Sequence, residues 1–267
     1  MAFVKSTSLI AKILRGGRRA LMEKGYDFHP IDRRCLDDQK SLLNKVEAPT
    51  ILDVGANVGK TVHEYRNLFE NSRIFCFEAQ PDLCAQIEAS FGSDAKVSVH
   101  QCAVGAVEGM ADFYLNAKRD TSSLLQPDSD HLSATYNAAL KNVEKLPVSV
   151  KTLDSFTETN KITHVNLLKM DIQGGEFDAL LGASNLLSES RVDLVYLEVY
   201  FVPMYSNQPL FGDLSSQLAR YGYSLHLIYN QVLNGISGRP LWADALFVAP
   251  KLRDASRELL RNTWQTR

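Results

Sequence analysis

The sequence predicts an α/β protein built on an open, mostly parallel, doubly wound sheet. Three observations carry that expectation. Short apolar runs at Ile51–Val54, Val165–Met170 and Val192–Val199 have the composition of strands buried on both faces. Stretches with helical spacing lie between them, and strands alternating with helices specify a parallel sheet with crossover helices. The 267 residues, 45% hydrophobic and 22% charged, are enough for one such domain with an extension and a sizeable core.

Residues 1–48 read as an N-terminal helical extension. Lys5, Lys12, Arg15, Arg18, Arg19 and Lys24 interleave with Leu9, Ile10, Ile13, Leu14, Leu21 and Met22, which predicts a basic amphipathic helix over Ser8–Lys24. Gly16-Gly17 weakens its middle. Such a helix suits peripheral membrane contact or substrate recruitment; as a structural element it is a packing helix with a solvated basic face. A second helix is expected over Arg33–Lys45.

The main domain is expected over residues 49–250. Its first strand ends in a glycine turn, Gly55 to Gly59, followed by a helix with Val62, Tyr65, Leu68 and Phe69 on one face. Arg73–Phe77 is the second strand, Asp82–Phe91 a helix entered through Pro81, and Val97–His100 the third strand. Met110–Leu115 alternates as an edge strand does. Lys118–Lys145 is long, polar and weakly periodic, the pattern of a lid or substrate loop. Val148–Leu153 leads as a strand into an acidic turn at Asp154, and Val165–Asp171 is a central strand. One helix is expected over Glu176–Leu187, a strand over Val192–Val199 and a helix over Gly212–Tyr221. The last strands are Tyr223–Tyr229 and Ala243–Val248, and residues 251–267 read as a helical tail.

Composition excludes several functions. A net charge of −2 gives no global field for nucleic acid. Cys35, Cys76, Cys84 and Cys102 form no CxxC pair and no metal-type spacing with histidine, so reduced thiols in a cytoplasmic protein are expected. No apolar run approaches the roughly 20 residues that span a bilayer, and a signal-peptide core is not seen. The turn has Asn57 where a dinucleotide fingerprint needs its middle glycine, and neither a phosphate-binding GxxxxGK[ST] loop nor a Gly-x-Ser-x-Gly elbow is present.

The turn reads T-I-L-D-V-G-A-N-V-G-K-T over Thr50–Thr61. A strand, a glycine turn and a helix N-terminus form a ligand cradle. Asp53 before the first glycine would repel phosphate, so the ligand should carry positive charge or hydroxyl donors: a nucleoside of the S-adenosylmethionine kind. Glu78 follows about 20 positions after Gly59, the distance at which nucleotide folds place an acid on ribose hydroxyls. Ligands in such sheets bind beyond the carboxyl ends of the strands, where Asp53, Glu78, Asp171 and Glu198 are expected. Lys169 shares a strand face with Asp171, and a buried ammonium needs a partner. Asp171 or Glu198 is the natural one, and the cluster could orient an acceptor hydroxyl and take its proton. As purely structural features, Asp53 would organise the turn, Glu78 would cap a helix, and Lys169 would sit in an ion pair.

These motifs resemble the FkbM-type S-adenosylmethionine-dependent methyltransferases. The resemblance rests on D-V-G-A-N-V-G-K-T (53–61), F-E-A-Q-P (77–81), C-A-V-G (102–105), T-S-S-L (121–124) and T-L-D-S-F (152–156). It rests further on L-L-K-M-D-I-Q-G-G-E-F-D-A-L-L-G-A (167–183) and D-A-L-F-V (244–248). It implies the class I, Rossmann-like methyltransferase sheet of seven strands, the last antiparallel, and methyl transfer to an oxygen of a sugar, glycan, glycolipid or secondary metabolite. The cofactor would be S-adenosylmethionine, leaving as S-adenosylhomocysteine. Its implied binding set is Asp53, Gly55, Ala56, Asn57, Gly59, Thr61, Glu78, Ala79, Gln101, Cys102, Ala103 and Asp171. Within that set Gly55, Ala56, Asn57 and Gly59 line the methionine side, Glu78 the ribose, and Gln101–Ala103 the adenine. Asp171 is the first candidate base and Glu198 the second, with Lys169 beside them. Many relatives carry Glu in place of Gln173 and Pro in place of Gln80, and Gln173 is given no catalytic role. A divalent metal at Asp171 and Glu198 would need more oxygen ligands than the sequence names. RNA or protein methylation, and a catalytically silent cofactor-binding protein, are the alternatives.

Overall fold

The computed structural model describes residues 35–128 and 138–253. The basic helix expected over Ser8–Lys24, the centre of the 118–145 loop and most of the C-terminal tail lie outside the described residues. The chain divides into two compact units, residues 1–38 and 39–267, and both sheets belong to the second. Helix α1 is Cys35–Leu42. The main sheet holds β1 (Thr50–Val54), β2 (Arg73–Glu78), β3 (Val97–Gln101), β7 (Val165–Met170), β8 (Val192–Tyr200), β9 (Ser224–Leu233) and β10 (Pro240–Val248). Their spatial order is β3-β2-β1-β7-β8-β10-β9, parallel except for β10, which runs antiparallel to both neighbours. The helices are α2 (Lys60–Leu68), α3 (Pro81–Phe91), α4 (Leu153–Thr159), α5 (Glu176–Leu181), α6 (Ser184–Ser188) and α7 (Phe211–Arg220). This is the doubly wound seven-stranded α/β sheet that the sequence predicts.

Strands β1, β7 and β8 sit in the middle because they are apolar on both faces. Ile51, Leu52, Leu167, Leu168, Leu194 and Val195 are fully buried, each contributing about 1.5–3 kcal/mol through removal from water. The sheet changes winding direction between β1 and β7, which is where such folds bind ligands.

Three local readings are refined or corrected. Met110–Leu115 is an edge strand as expected, but of a separate sheet: β5 (Gly109–Asn116) pairs with β6 (Asn142–Lys151) in a three-stranded sheet, order β4-β6-β5, with β4 at Ala103–Val104. Strand β6 therefore absorbs the end of the expected loop, because Leu146, Val148 and Val150 supply an alternating face that β5 covers. The single helix expected over Glu176–Leu187 is two, α5 and α6, and Gly182 between them must be glycine, since a Cβ there would sit 2.1 Å from the Gly105 carbonyl. Asp154, expected in a turn, lies inside α4 and caps α6 instead, accepting from the Asn185 and Leu186 N–H groups at 2.9 and 3.0 Å. Among the described residues no helix is long and apolar enough to cross a membrane.

Candidate active site

The strand register lays the site out in one row. Val54 pairs with Phe77 on one side and Met170 on the other, Met170 pairs with Leu197, and Glu78 pairs with Gln101. One residue further along, Gln101, Glu78, Gly55, Asp171 and Glu198 stand side by side across the carboxyl rim, and Asp244 on β10 pairs with Glu198. Glycine is required at the centre of that row: Gly55 has φ +75°, and a Cβ there would lie 2.0 Å from the Asp171 carbonyl oxygen.

Lys169 takes neither partner expected for it. Asp53 and Lys169 are direct neighbours across β1 and β7, and opposed residues on one face are closer than any i, i+2 pair along a strand. The ammonium sits 3.0 Å from Asp53 Oδ1 and donates to the Gly55 carbonyl at 2.9 Å. Burial would lower the Lys169 pKa, but Asp53 and then Asp171 outweigh it and hold the ammonium above its ordinary value. This buried pair props the glycine turn from beneath.

Glu78 holds the turn from the other side. Its Oε2 accepts from Asn57 N at 2.9 Å and its Oε1 from Gln80 N at 3.0 Å. Burial pushes this carboxyl above its ordinary value, opposed by those backbone donors. Asn57 is itself left-handed, φ 52°, which aims its N–H at the carboxylate.

The segment after β7 is fixed just as closely. Gln173 Nε2 donates to Asp171 Oδ1 at 2.9 Å and to Glu198 Oε2 at 2.8 Å. The hydroxyls of Tyr200 and Tyr205 stand 3.0 and 3.1 Å from its Oε1, and Tyr200 also approaches Glu198 Oε2 at 2.5 Å. Ser123, in the T-S-S-L stretch, donates to the Gln173 carbonyl at 2.8 Å. Glu176 is buried at the start of α5 and accepts from Ile172 N at 2.8 Å. Burial, foremost, raises its pKa from 4.5 to about 7. Between those values the folded chain keeps a proton that the unfolded chain releases, so this contribution to stability is full below pH 4.5 and is lost as pH rises through 7. The difference in Tm between Glu176→Gln and wild type should therefore move in the variant's favour from about pH 5 to about pH 8. A pH-independent difference in thermal melts would refute the assignment.

The row opens into a cavity of about 440 Å³, within the range of small-molecule sites. It brings together Gly55, Asn57, Glu78, Ala79, Cys102, Ala103, Asp171 and Glu198 from the sequence-predicted residues. Asp53, Ala56, Gly59, Thr61, Gln101 and Lys169 do not line it. Gly59 caps α2, Gln101 is exposed, and Asp53 and Lys169 lie under the turn. Arg119 and Leu140 from the expected substrate loop also line it, as do Gln173, Met204 and Trp242.

A family model described as the methyltransferase FkbM domain matches residues 53–225. The chain belongs to this family. The chain is 29% identical over 179 residues to 2-O-methyltransferase NoeI of Sinorhizobium fredii, covering 64% of this chain and 68% of that one. It is 27% identical over 158 residues to Methyltransferase 1 of Beauveria bassiana, covering 54% of this chain and 61% of that one. A solved structure similar to it is magnesium protoporphyrin IX methyltransferase (ChlM) from Synechocystis with bound SAM, at 9% identity and TM-score 0.44, covering 80% of this chain and 77% of that one.

The cofactor of this FkbM methyltransferase is S-adenosylmethionine, and the cavity's own chemistry fits it. Each Glu78 oxygen accepts a single backbone N–H and keeps acceptor capacity for a ribose hydroxyl. Beside it, Ala79, Ala103 and Phe113 form an apolar patch suited to a flat base. The glycine turn leaves room for a chain to approach the backbone, and Asp171 supplies negative charge where a cationic ligand would pass. Asp53, which the sequence places toward the ligand, is wholly buried with Lys169. The contacts of Gln173 are not readable from the sequence because their signal is tertiary. The one clue in the sequence was that Gln173 departs from the family's usual Glu.

Proposed function

We propose that the chain transfers a methyl group to a hydroxyl of a small polyhydroxylated acceptor such as a sugar, with Glu198 taking the proton and Asp171 beside it. When bound, S-adenosylmethionine supplies an electrophilic methyl group; the residues of the chain do the rest. Glu78 and the 55–59 turn would fix one partner, while the wall of Tyr200, Met204 and Trp242 would orient the other, and such alignment supplies most of the acceleration in a two-reactant site. The observation that carries the reading is the placement of Asp171 and Glu198 side by side on the cavity wall. Asp171 adjoins the glycine turn, and Glu198 lies one strand further out, which favours Glu198 for the acceptor. The name of the 2-O-methyltransferase relative supports oxygen as the atom methylated. Four buried free thiols support a reducing, cytoplasmic setting.

Burial, and then the Asp171 charge, push the Glu198 pKa well above the usual carboxylate value. A base must be ionised, so the rate should fall with acid at a pH well above 4.5. Glu198→Gln should remove that acid limb and lower kcat by about 10²–10⁴-fold. The measurement is S-adenosylhomocysteine release over a panel of hydroxylated acceptors, sugars first. Turnover confined to amine acceptors, or an unchanged pH profile in Glu198→Gln, would sink the proposal.

A further inference from the structure

The Gln173 side chain hydrogen-bonds both Asp171 and Glu198. Its carboxamide has two N–H groups, both donated to a carboxylate, and an oxygen that two hydroxyls approach. The N–H groups are given to Asp171 Oδ1 and Glu198 Oε2, and the oxygen stands between the Tyr200 and Tyr205 hydroxyls. Tyr205 is anchored in turn to the Thr121 carbonyl at 2.7 Å, and the Tyr205 N–H to Gln208. The backbone beneath is equally constrained. Gln173 is left-handed at φ 57°, its carbonyl takes the Ser123 hydroxyl, and Gly174 follows at φ 96° against Gln208. A non-glycine residue held this way at a cavity wall is strain retained by its surroundings.

We propose that Gln173 is the positioning residue of the acceptor site: its carboxamide clamps one oxygen each of Asp171 and Glu198, so that Asp171 Oδ2 and Glu198 Oε1 face the acceptor. The inference rests on the methyl-transfer reading above and deepens it. Two like-charged carboxylates so close repel one another, and a neutral double donor between them offsets that repulsion without adding charge. A carboxylate at position 173 would be an isostere that reverses the interaction. It would give no donor and would add a further negative group beside Asp171 and Glu198, with Glu176 and Asp244 nearby.

The test compares Gln173→Met, which keeps the length and loses every hydrogen bond, with Gln173→Glu, which keeps the shape and reverses the donor. Three quantities are read: S-adenosylhomocysteine affinity by calorimetry, kcat and KM on a hydroxylated acceptor, and the Glu198 titration by carboxyl ¹³C NMR, assigned with Glu198→Gln. Affinity should stay within about threefold of wild type, because Glu78 and the glycine turn are untouched, while kcat in Gln173→Met falls about 10- to 100-fold, as a small misplacement does. In Gln173→Glu the Glu198 midpoint should rise above that of wild type, carrying the acid limb of the rate with it. Wild-type kcat and titration in Gln173→Met would overturn the proposal. So would loss of S-adenosylhomocysteine affinity in step with kcat, which would mean that Gln173 only folds the loop. If wild type methylates no hydroxyl, the function reading fails, yet the titration still decides the clamp: midpoints unchanged in both variants overturn it.

Discussion

Lys169→Met is expected to destabilise the fold by about 3–5 kcal/mol, the usual cost of stripping one partner from a buried ion pair. The cost falls on Asp53. Its carboxylate is wholly buried, and Lys169 is its ion-pair partner at 3.0 Å. Methionine fills the lysine's volume, so the loss is electrostatic and not a cavity. It also frees the Gly55 carbonyl that the ammonium holds at 2.9 Å. The double variant Asp53→Asn/Lys169→Met should recover much of that stability, since no charge is then left without its partner. Urea unfolding measures both. The pair is shielded from solvent, so the coupling should barely change with salt. A single variant within about 1 kcal/mol of wild type would mean that Asp53 finds another partner or takes up a proton, and the ion pair would not hold the turn.

That pair also marks the limit of what the sequence discloses. The row of the site was legible because strand ends are local features: Gly55, Glu78, Asp171 and Glu198 each follow an apolar run, and parallel register places such ends at one level. The partner of Lys169 was not legible. Along one strand, Asp171 is its nearest carboxylate, but the closest neighbour in space comes from β1, and sequence does not say that β1 and β7 are adjacent. The same limit hid the second sheet, whose β6 strand needs β5 to cover it, and the close approach of the distant Gly105 carbonyl to Gly182. Gln173 was passed over because its value lies in four contacts from three segments. Local pattern reads what a residue is; which atoms its side chain meets depends on the packing of the whole domain.

Glu78→Ala should weaken S-adenosylhomocysteine binding by at least about 100-fold, since even one hydrogen bond to a charged group contributes up to about 3 kcal/mol. Two losses combine. The carboxylate that would take the ribose hydroxyls is gone, and the N–H groups of Asn57 and Gln80 lose the acceptor that fixes the turn. Glu78→Gln separates them: its amide keeps one acceptor for the turn but gives up the charge and half of the hydroxyl acceptors, so the expected affinity is intermediate. Calorimetry with S-adenosylhomocysteine measures all three proteins, and thermal melts check that the variants fold. Unchanged affinity in Glu78→Ala would move the ribose away from β2 and leave Glu78 a turn-fixing residue alone. Loss in the alanine variant with full retention in glutamine would mean that the hydrogen bonds to the turn, and not the charge, carry the binding.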